Sequence, residues 1–455
     1  MVTGSPAMQA FPSRHFWFDV EDLFEYSRVN MRPSGIQRVA FEIQNAMRCL
    51  PDMQGRVGFL RHSPDGRRFH PVAWSEVAAL YERLASHVTP HSGLLETAVP
   101  RLTPSALRRL ALRLPPAVRV PLGQLIAHQS GTRKALPQLL RGAGHTLKQA
   151  FHHARAKKTD APFSPAPQDV LLSLGAPWSH ADYGALIGHY RQAYDMQFGL
   201  LVHDIIPLLF PEWCPAGLPR IFERWLRSIL PHCDRVFGVS RATCADLKRV
   251  FPDIAAQPIS MGTALAAKPQ ATAPSLSLPD RYVLSVGTFE ARKNHLFLIR
   301  MWRRLLETGN RNSIPKLMLA GSSGWLSDDL MQQIHNSNFL DEHIIIVRAP
   351  TDAQLEQLYR HALFVMIPSF YEGWGLPVSE SLARGKACLI SNRGALPEAG
   401  QELVETFNPD NLEDGLAKAA RMMFDTGALA EAEQVVRSYF KPVGWEVAAK
   451  EISGF

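Results

Sequence analysis

No apolar run in this chain approaches the ~18–20 uninterrupted residues of a membrane-spanning helix. Its first residues, MVTGSPAMQAFPSRHFWF, lack a basic stretch followed by an apolar one, so no signal peptide is expected. The five cysteines (Cys49, Cys214, Cys233, Cys244 and Cys388) form no Cys-x-x-Cys pair. That suits a reducing cytosol, with the thiols expected as buried apolar groups. The most informative absence is one sign of charge. From Thr97 to Thr159 there is no Asp or Glu, while twelve Lys and Arg fall in the same span. The whole chain carries a net charge of +7, so everything outside the span sums to −5.

The basic character is therefore a property of one segment. Within it, Ser105 to Leu114 (SALRRLALRL) has helical periodicity. Leu107, Leu110, Ala111 and Leu114 fall on one face, and Arg108, Arg109 and Arg113 on the others. Such a stripe fits a basic helix on an anionic membrane. It equally fits a solvated face packed on its domain. Nucleic acid is disfavoured, because no aromatic interleaving or binding motif accompanies the charge.

At 455 residues the chain is expected to form two domains of ~200 residues each. The C-terminal half alternates strand and helix signals. Apolar runs at Tyr282–Thr288, Lys316–Ser322, His343–Arg348, Leu363–Ser369 and Ala387–Ile390 read as strands. Helical stretches separate them, at 295–306, 328–335 and 352–361, the last with Asp352 as its cap. Fully apolar strands alternating with helices argue a parallel sheet covered on both faces. The N-terminal half gives the same signal at Phe16–Val20, Val57–Arg61, Val170–Leu174, Gly199–His203 and Arg235–Val239. The expected architecture is α/β: two Rossmann-like, doubly wound domains facing across a cleft. The N-terminal domain spans 1–262 and contains the basic helical insertion 97–159. A linker rich in Ala, Pro and Ser follows at 263–280, then a C-terminal domain at 281–440. Residues 441–455 are expected as a helix crossing back to the N-terminal domain. A ligand belongs at the C-terminal ends of the strands, in the cleft.

Two loops carry the candidate chemistry. In IPSFYEGWGLPVSESLARG, residues 367–385, Pro377 suits the first turn of a helix and Gly385 its stop. Glu372 then lies in the strand-to-helix loop and Glu380 in the first helical turn. Gly373 and Gly375 let backbone N–H groups approach a ligand, and the helix N-terminus favours phosphate. Phosphate-binding amides beside carboxylates ask for a ligand that is both phosphorylated and a polyol. The plainer reading is a strained loop with two dipole-compensating glutamates. In the second loop, after Tyr282–Thr288, Arg292 and Lys293 are placed to neutralise a diphosphate and Asn294 to cap the next helix.

The residues reached form a pattern. It runs Gly287, Arg292-Lys293-Asn294, Ala320-Gly321, Pro368 to Glu380, Ser391-Asn392 and Leu396-Pro397-Glu398. This resembles the family-four retaining glycosyltransferases of the two-Rossmann (GT-B) fold. Ser34-Gly35-Ile36-Gln37-Arg38, Val202-His203-Asp204 with Pro207, and Phe237 to Ser240 are similar to that family's bacterial mannosyltransferase-like members. Trp374 stands where Phe is commoner and Ser379 where an aliphatic residue is usual. The resemblance covers nearly all of the chain outside the basic insertion.

The resemblance implies roles. Glu372 would hold donor-sugar hydroxyls and Glu380 the nucleotide ribose. Arg292 and Lys293 would hold the diphosphate, with Gly287 beneath them. The amides of Gly373, Trp374, Gly375 and Leu376 would meet sugar and phosphate, and Gly35 would approach the diphosphate from the other domain. His203 would lie near the sugar, facing the acceptor, unless it is only a strand-end histidine. Asp204 would orient loops. Arg38 could equally be a structural helix arginine, and Ser240 only a helix cap. No Asp-x-Asp motif is present, so no cofactor or divalent cation is required. The implied activity is transfer of a hexose, mannose from GDP-mannose first, to a glycan or lipid-linked oligosaccharide in bacterial surface or exopolysaccharide synthesis. The implied location is the inner face of the cytoplasmic membrane. The alternatives are a UDP- or dTDP-sugar donor, a non-catalytic nucleotide-sugar-binding subunit, and a sugar-nucleotide epimerase. Neither arginine nor lysine of the pair is expected to matter for stability.

Overall fold

The computed structural model describes residues 14–86, 95–97, 163–263 and 276–455. The basic stretch after residue 97, with its expected helix at 105–114, and most of the expected linker lie outside the described residues. The rest forms two seven-stranded sheets. The first contains β1 (Phe16–Asp19), β2 (Val57–His62), β3 (Phe69–Val72), β5 (Val170–Ser173), β6 (Gln197–Val202), β7 (Arg235–Gly238) and β8 (Ala256–Pro258). Its order is β3-β2-β1-β5-β6-β7-β8. The second contains β4 (Leu95–Glu96), β9 (Tyr282–Val286), β10 (Lys316–Gly321), β11 (Ile344–Arg348), β12 (Val365–Ile367), β13 (Cys388–Ser391) and β14 (Glu405–Phe407). Its order is β14-β13-β12-β9-β10-β11-β4.

Both sheets are parallel except for β3, antiparallel to β2, and β4, antiparallel to β11. The strands read from apolar runs are the inner ones. In β5 and β13 every residue is buried, because helices cover both faces. Each sheet separates two apolar clusters, one per face. One edge differs from expectation. The insertion was assigned to the N-terminal domain, yet Leu95–Glu96, immediately before it, pairs with the C-terminal sheet. Glu96 Oε1 accepts a 2.5 Å hydrogen bond from Arg348 Nε there.

The crossing after β8 and the return before the last helix are tied together. Thr263 N–H donates to the Val443 carbonyl at 2.8 Å, and Val443 N–H to Thr263 Oγ1 at 3.1 Å. The last helix, Trp445–Ser453, then buries Ala448, Ala449 and Ile452 in the N-terminal core. It packs against the helix Gly35–Cys49.

Local signals were met with some shifts. Ser240 caps Arg241–Val250 by accepting from Thr243 N–H. The cap of Asp352–His361 is Thr351, in a reciprocal capping box with Gln354, so Asp352 is the first helical residue. Asn294 precedes its helix with φ of 55° but makes no side-chain cap; its amide donates to the Pro368 carbonyl at 3.1 Å. Only Cys388 of the five thiols is buried, and Cys49 is exposed.

Candidate functional site in the cleft

The site residues converge at the C-terminal ends of the strands. His203 follows β6, Gly287 to Lys293 follow β9, and Glu372 to Leu376 follow β12. Gly35 opens the helix Gly35–Cys49 from the opposite wall, and a Cβ on it would stand 3.6 Å from Leu376 Cδ1. The helix after this loop starts at Leu376, with Pro377 in its first turn. Glu380 therefore lies one turn deeper than expected, outside the first turn.

Glu372 is the hub. Its Oε2 accepts from Arg292 Nη1 at 2.5 Å and its Oε1 from Lys293 Nζ at 2.6 Å. Ser369 Oγ adds a third donor at 2.7 Å. Burial alone would raise this carboxyl, but Arg292 and Lys293 overcome it and hold it down at about 2. Arg292 also donates to Glu290 Oε1 at 2.6 Å and to the Tyr371 carbonyl at 2.7 Å. Burial opposes the charge on Arg292, and Glu372 and Glu290 more than restore it. Lys293 lies over Gly287, with Cδ 3.6 Å from where a Cβ would be.

The sequence reading placed both cations toward a ligand and assumed that their loss would leave stability untouched. The structure corrects that. Each neutralises a buried carboxylate, and removing one partner of such a pair typically costs about 3–5 kcal/mol. Glu290 and Ser369 were missed. Glu290 sits two residues before Arg292, and only the folded loop turns its side chain back onto the guanidinium.

Glu380 is held differently. Tyr359 Oη donates to its Oε2 at 2.7 Å, and burial raises its carboxyl against the pull of Arg38. Arg38 itself bridges the cleft, with Nη2 2.7 Å from Asp352 Oδ1.

The loop 371–375 presses on the N-terminal wall. A Cβ on Gly373 would lie 2.1 Å from the His203 carbonyl oxygen, so only glycine fits there. Gly375 has φ of +130°, where a side chain would be strained. Trp374 packs against the cores of both domains, and its indole N–H is buried without a partner among the described residues. Tyr371 Oη donates to Asp246 Oδ2 at 2.6 Å, and both carboxylate oxygens of Glu398 accept from Arg241 N–H, at 3.1 and 3.0 Å. The His203 ring contacts the Leu174 carbonyl through Nε2 at 2.8 Å. Burial pulls its pKa to about 4, so it is neutral at physiological pH. Asp204 Oδ1 accepts from Ile206 N–H at 3.0 Å, a loop-orienting contact.

With this geometry the comparisons can be read. Residues 270–427 match the family described as Glycosyl transferases group 1. The serotype-specific mannosyltransferase WbdA of Escherichia coli is 27% identical over 237 residues, covering 48% of this chain and 29% of WbdA. The GDP-mannose:cellobiosyl-diphosphopolyprenol alpha-mannosyltransferase of Komagataeibacter xylinus is 28% identical over 227 residues, 49% of this chain and 56% of that protein. The chain thus spans from under a third to a little over half of these relatives. The structure of Anabaena HepE, solved with UDP and glucose, superposes with a TM-score of 0.55 at 13% identity, covering 97% of this chain and 100% of HepE. That likeness establishes the GT-B fold. Together these findings show a GT-B fold in which residues 270–427 resemble glycosyl transferases of group 1.

The clamp on Glu372 has a pH signature. A carboxyl whose folded pKa is depressed contributes stability above its unfolded pKa, here near 4.5, and loses it as pH falls through about 2. Acid unfolding should therefore steepen between those values in the wild type. Glu372→Gln should be less stable at neutral pH, with a shallower loss across the same window, measured by urea unfolding at each pH. Parallel acid profiles for the two proteins would contradict the clamp.

Proposed function

We propose that this chain is a retaining hexosyltransferase that moves mannose from GDP-mannose to a glycan or lipid-linked acceptor at the cytoplasmic face of a bacterial membrane. One observation carries the reading: Arg292 and Lys293 meet on Glu372, at the strand ends of a GT-B cleft, with Glu380 one helix turn beyond. Names among the relatives support mannose, and one supports GDP-mannose with a polyprenol diphosphate-linked acceptor.

In this reading the donor diphosphate exchanges with Glu372 for the two cations. Glu372, released, turns its oxygens to the sugar hydroxyls, and Glu380 takes the ribose. The anomeric carbon–oxygen bond to phosphate breaks while the acceptor oxygen bonds to the same face. The acceptor's proton passes to the departing phosphate oxygen. Arg292 and Lys293 stabilise the negative charge developing on that oxygen, a contribution of the oxyanion-hole kind. They supply the counter-charge without a divalent cation. His203, neutral, offers a hydrogen-bonding group beside the sugar rather than an acid.

Lys293→Ala should lower transfer by roughly 10²-fold, the scale of one lost transition-state donor. The measurement is single-turnover transfer from radiolabelled GDP-mannose, with folding checked by thermal melting. Unchanged transfer in a folded Arg292→Ala/Lys293→Ala double variant would sink the assignment. Equal transfer from UDP- or dTDP-sugars would overturn the donor.

The membrane part rests on charge alone: twelve cations and no carboxylate from Thr97 to Thr159. Near an anionic surface each contributes ~1 kcal/mol, screened by salt. Flotation should show binding to anionic vesicles, little to neutral ones, and loss on charge reversal at Arg108, Arg109 and Arg113. Binding indifferent to lipid charge would remove the membrane from the account.

A further inference from the structure

A cluster of titratable side chains lies apart from the cations and glutamates of the cleft, where β1 and β2 end. His62 Nε2 stands 2.9 Å from Asp19 Oδ2, and Tyr183 Oη donates to the same oxygen at 2.7 Å. Glu21 accepts from Arg61 at 2.8 and 2.9 Å and from His62 N–H at 3.2 Å. Burial opposes a charge on His62, but Asp19 and then Glu21 outweigh it and raise its pKa.

His180 stands edge-on to His62, with ring centroids 5.0 Å apart and planes at 89°. Its two ring nitrogens meet groups of opposite kind. Nδ1 accepts from Asp182 N–H at 3.0 Å, and Nε2 lies 2.8 Å from the Gly66 carbonyl oxygen. A backbone N–H only donates and a carbonyl only accepts. The ring that makes both contacts is therefore neutral, with its proton on Nε2. An imidazolium carries a proton on each nitrogen and must give up Asp182 N–H. Burial, with His62 beside it, holds the His180 pKa below its ordinary value.

Both contacts fasten chain elements. Asp182 caps the helix Tyr183–Tyr194, its carboxylate accepting from Ala185 N–H at 3.2 Å. Gly66 lies in the turn between β2 and β3 with φ of +69°, and a Cβ there would stand 2.9 Å from His180 Nε2. β3 also meets the chain where it returns after the basic span: Phe163 N–H donates to the Phe69 carbonyl at 3.3 Å. The other titratable groups around the ring are Asp19 from β1 and Asp182 and Tyr183 from the helix start. The turn itself carries Asp65, Arg67 and Arg68, all exposed. The Asp65 carboxylate is engaged within the turn by Ser63 Oγ and Arg67 N–H.

We propose that His180 is a pH-sensitive latch: neutral, it ties the turn 63–68 to the start of the helix Tyr183–Tyr194, and protonated, it releases both. The latch does not depend on the glycosyl-transfer reading. The two histidines act with opposite sign. His180 contributes stability that is present above the ordinary histidine value and lost as pH falls below it. His62 contributes stability that is present in acid and lost as pH rises through its raised value. The two offset each other in a whole-protein melt, so the readout must be local.

Hydrogen exchange of the full chain, followed by mass spectrometry over 63–69 and 180–186, supplies it. Rates are compared at about pH 7.5 and about pH 5.5, on either side of the ordinary histidine value, after correction for intrinsic exchange. In the wild type both segments should exchange about tenfold faster in acid, the scale of one lost hydrogen bond. His180→Asn keeps an acceptor near the place of Nδ1 and does not titrate. Its corrected rates should agree at the two pH values within about twofold. The wild-type ring gives an independent reading: its imidazole nitrogen shifts near neutral pH should show a proton on Nε2 alone. Equal wild-type rates at both pH values, the same acid loss in folded His180→Asn, or a doubly protonated ring near neutral pH would each overturn the latch.

Discussion

The cleft depends on how two partly buried cations are neutralised. Arg292 and Lys293 stand on adjacent residues of one short loop, and their mutual repulsion must be offset within a few ångströms. Glu372 does this with one oxygen for each, supported by Ser369, and Glu290 takes the second arm of Arg292. The loops after β9 and β12 are fixed against each other by this arrangement, reinforced where Phe370 N–H donates to the Arg292 carbonyl at 2.9 Å. A buried ion cluster is weak evidence for net stability, because desolvation offsets most of the attraction. Its consequence here is specificity of geometry. The clamp holds two cations side by side at the strand ends of the cleft.

From that clamp the loop 371–375 reaches across the cleft. Gly373 meets the His203 carbonyl, Trp374 enters both cores, and Leu376 faces Gly35. Arg38 with Asp352, Tyr371 with Asp246, and Glu398 with Arg241 close the same seam from three directions. The returning helix Trp445–Ser453 fastens the far side by burying Ile452 in the N-terminal core. Loop chemistry and domain pairing are thus one structure. Gly373 is what lets the loop approach the opposite wall so closely.

Much of this was legible in the sequence, and for a physical reason. Strands buried on both faces must be apolar at every position, so β5, β6, β9, β10, β11 and β13 announced themselves as runs. The edge strands did not. β3 contains Pro71, β8 ends in Pro258, and β4 and β14 are two and three residues long, so their pairing is decided by the sheet they join. The candidate-site residues were legible because Glu372, Gly373, Gly375 and Glu380 fall in one contiguous loop-to-helix stretch. Their partners were not. Glu290 acts through a loop fold, Tyr359 lies 21 residues from Glu380, and Arg38 finds Asp352 across 314 residues. A hydrogen bond at that separation leaves no periodic trace. The basic insertion was visible only as charge.

The central claim is an exchange: the ligand's diphosphate takes the two cations that Glu372 now holds, and Glu380 serves the nucleotide by itself. Calorimetric titration of free GDP into the wild type, Glu372→Gln and Glu380→Gln tests it most directly. Removing the competing carboxylate should leave GDP affinity equal or higher in Glu372→Gln. Losing the ribose contact should weaken it by about tenfold in Glu380→Gln, near the scale of one hydrogen bond to a charged group. Equal weakening in both folded variants, or no change in Glu380→Gln, would contradict the account.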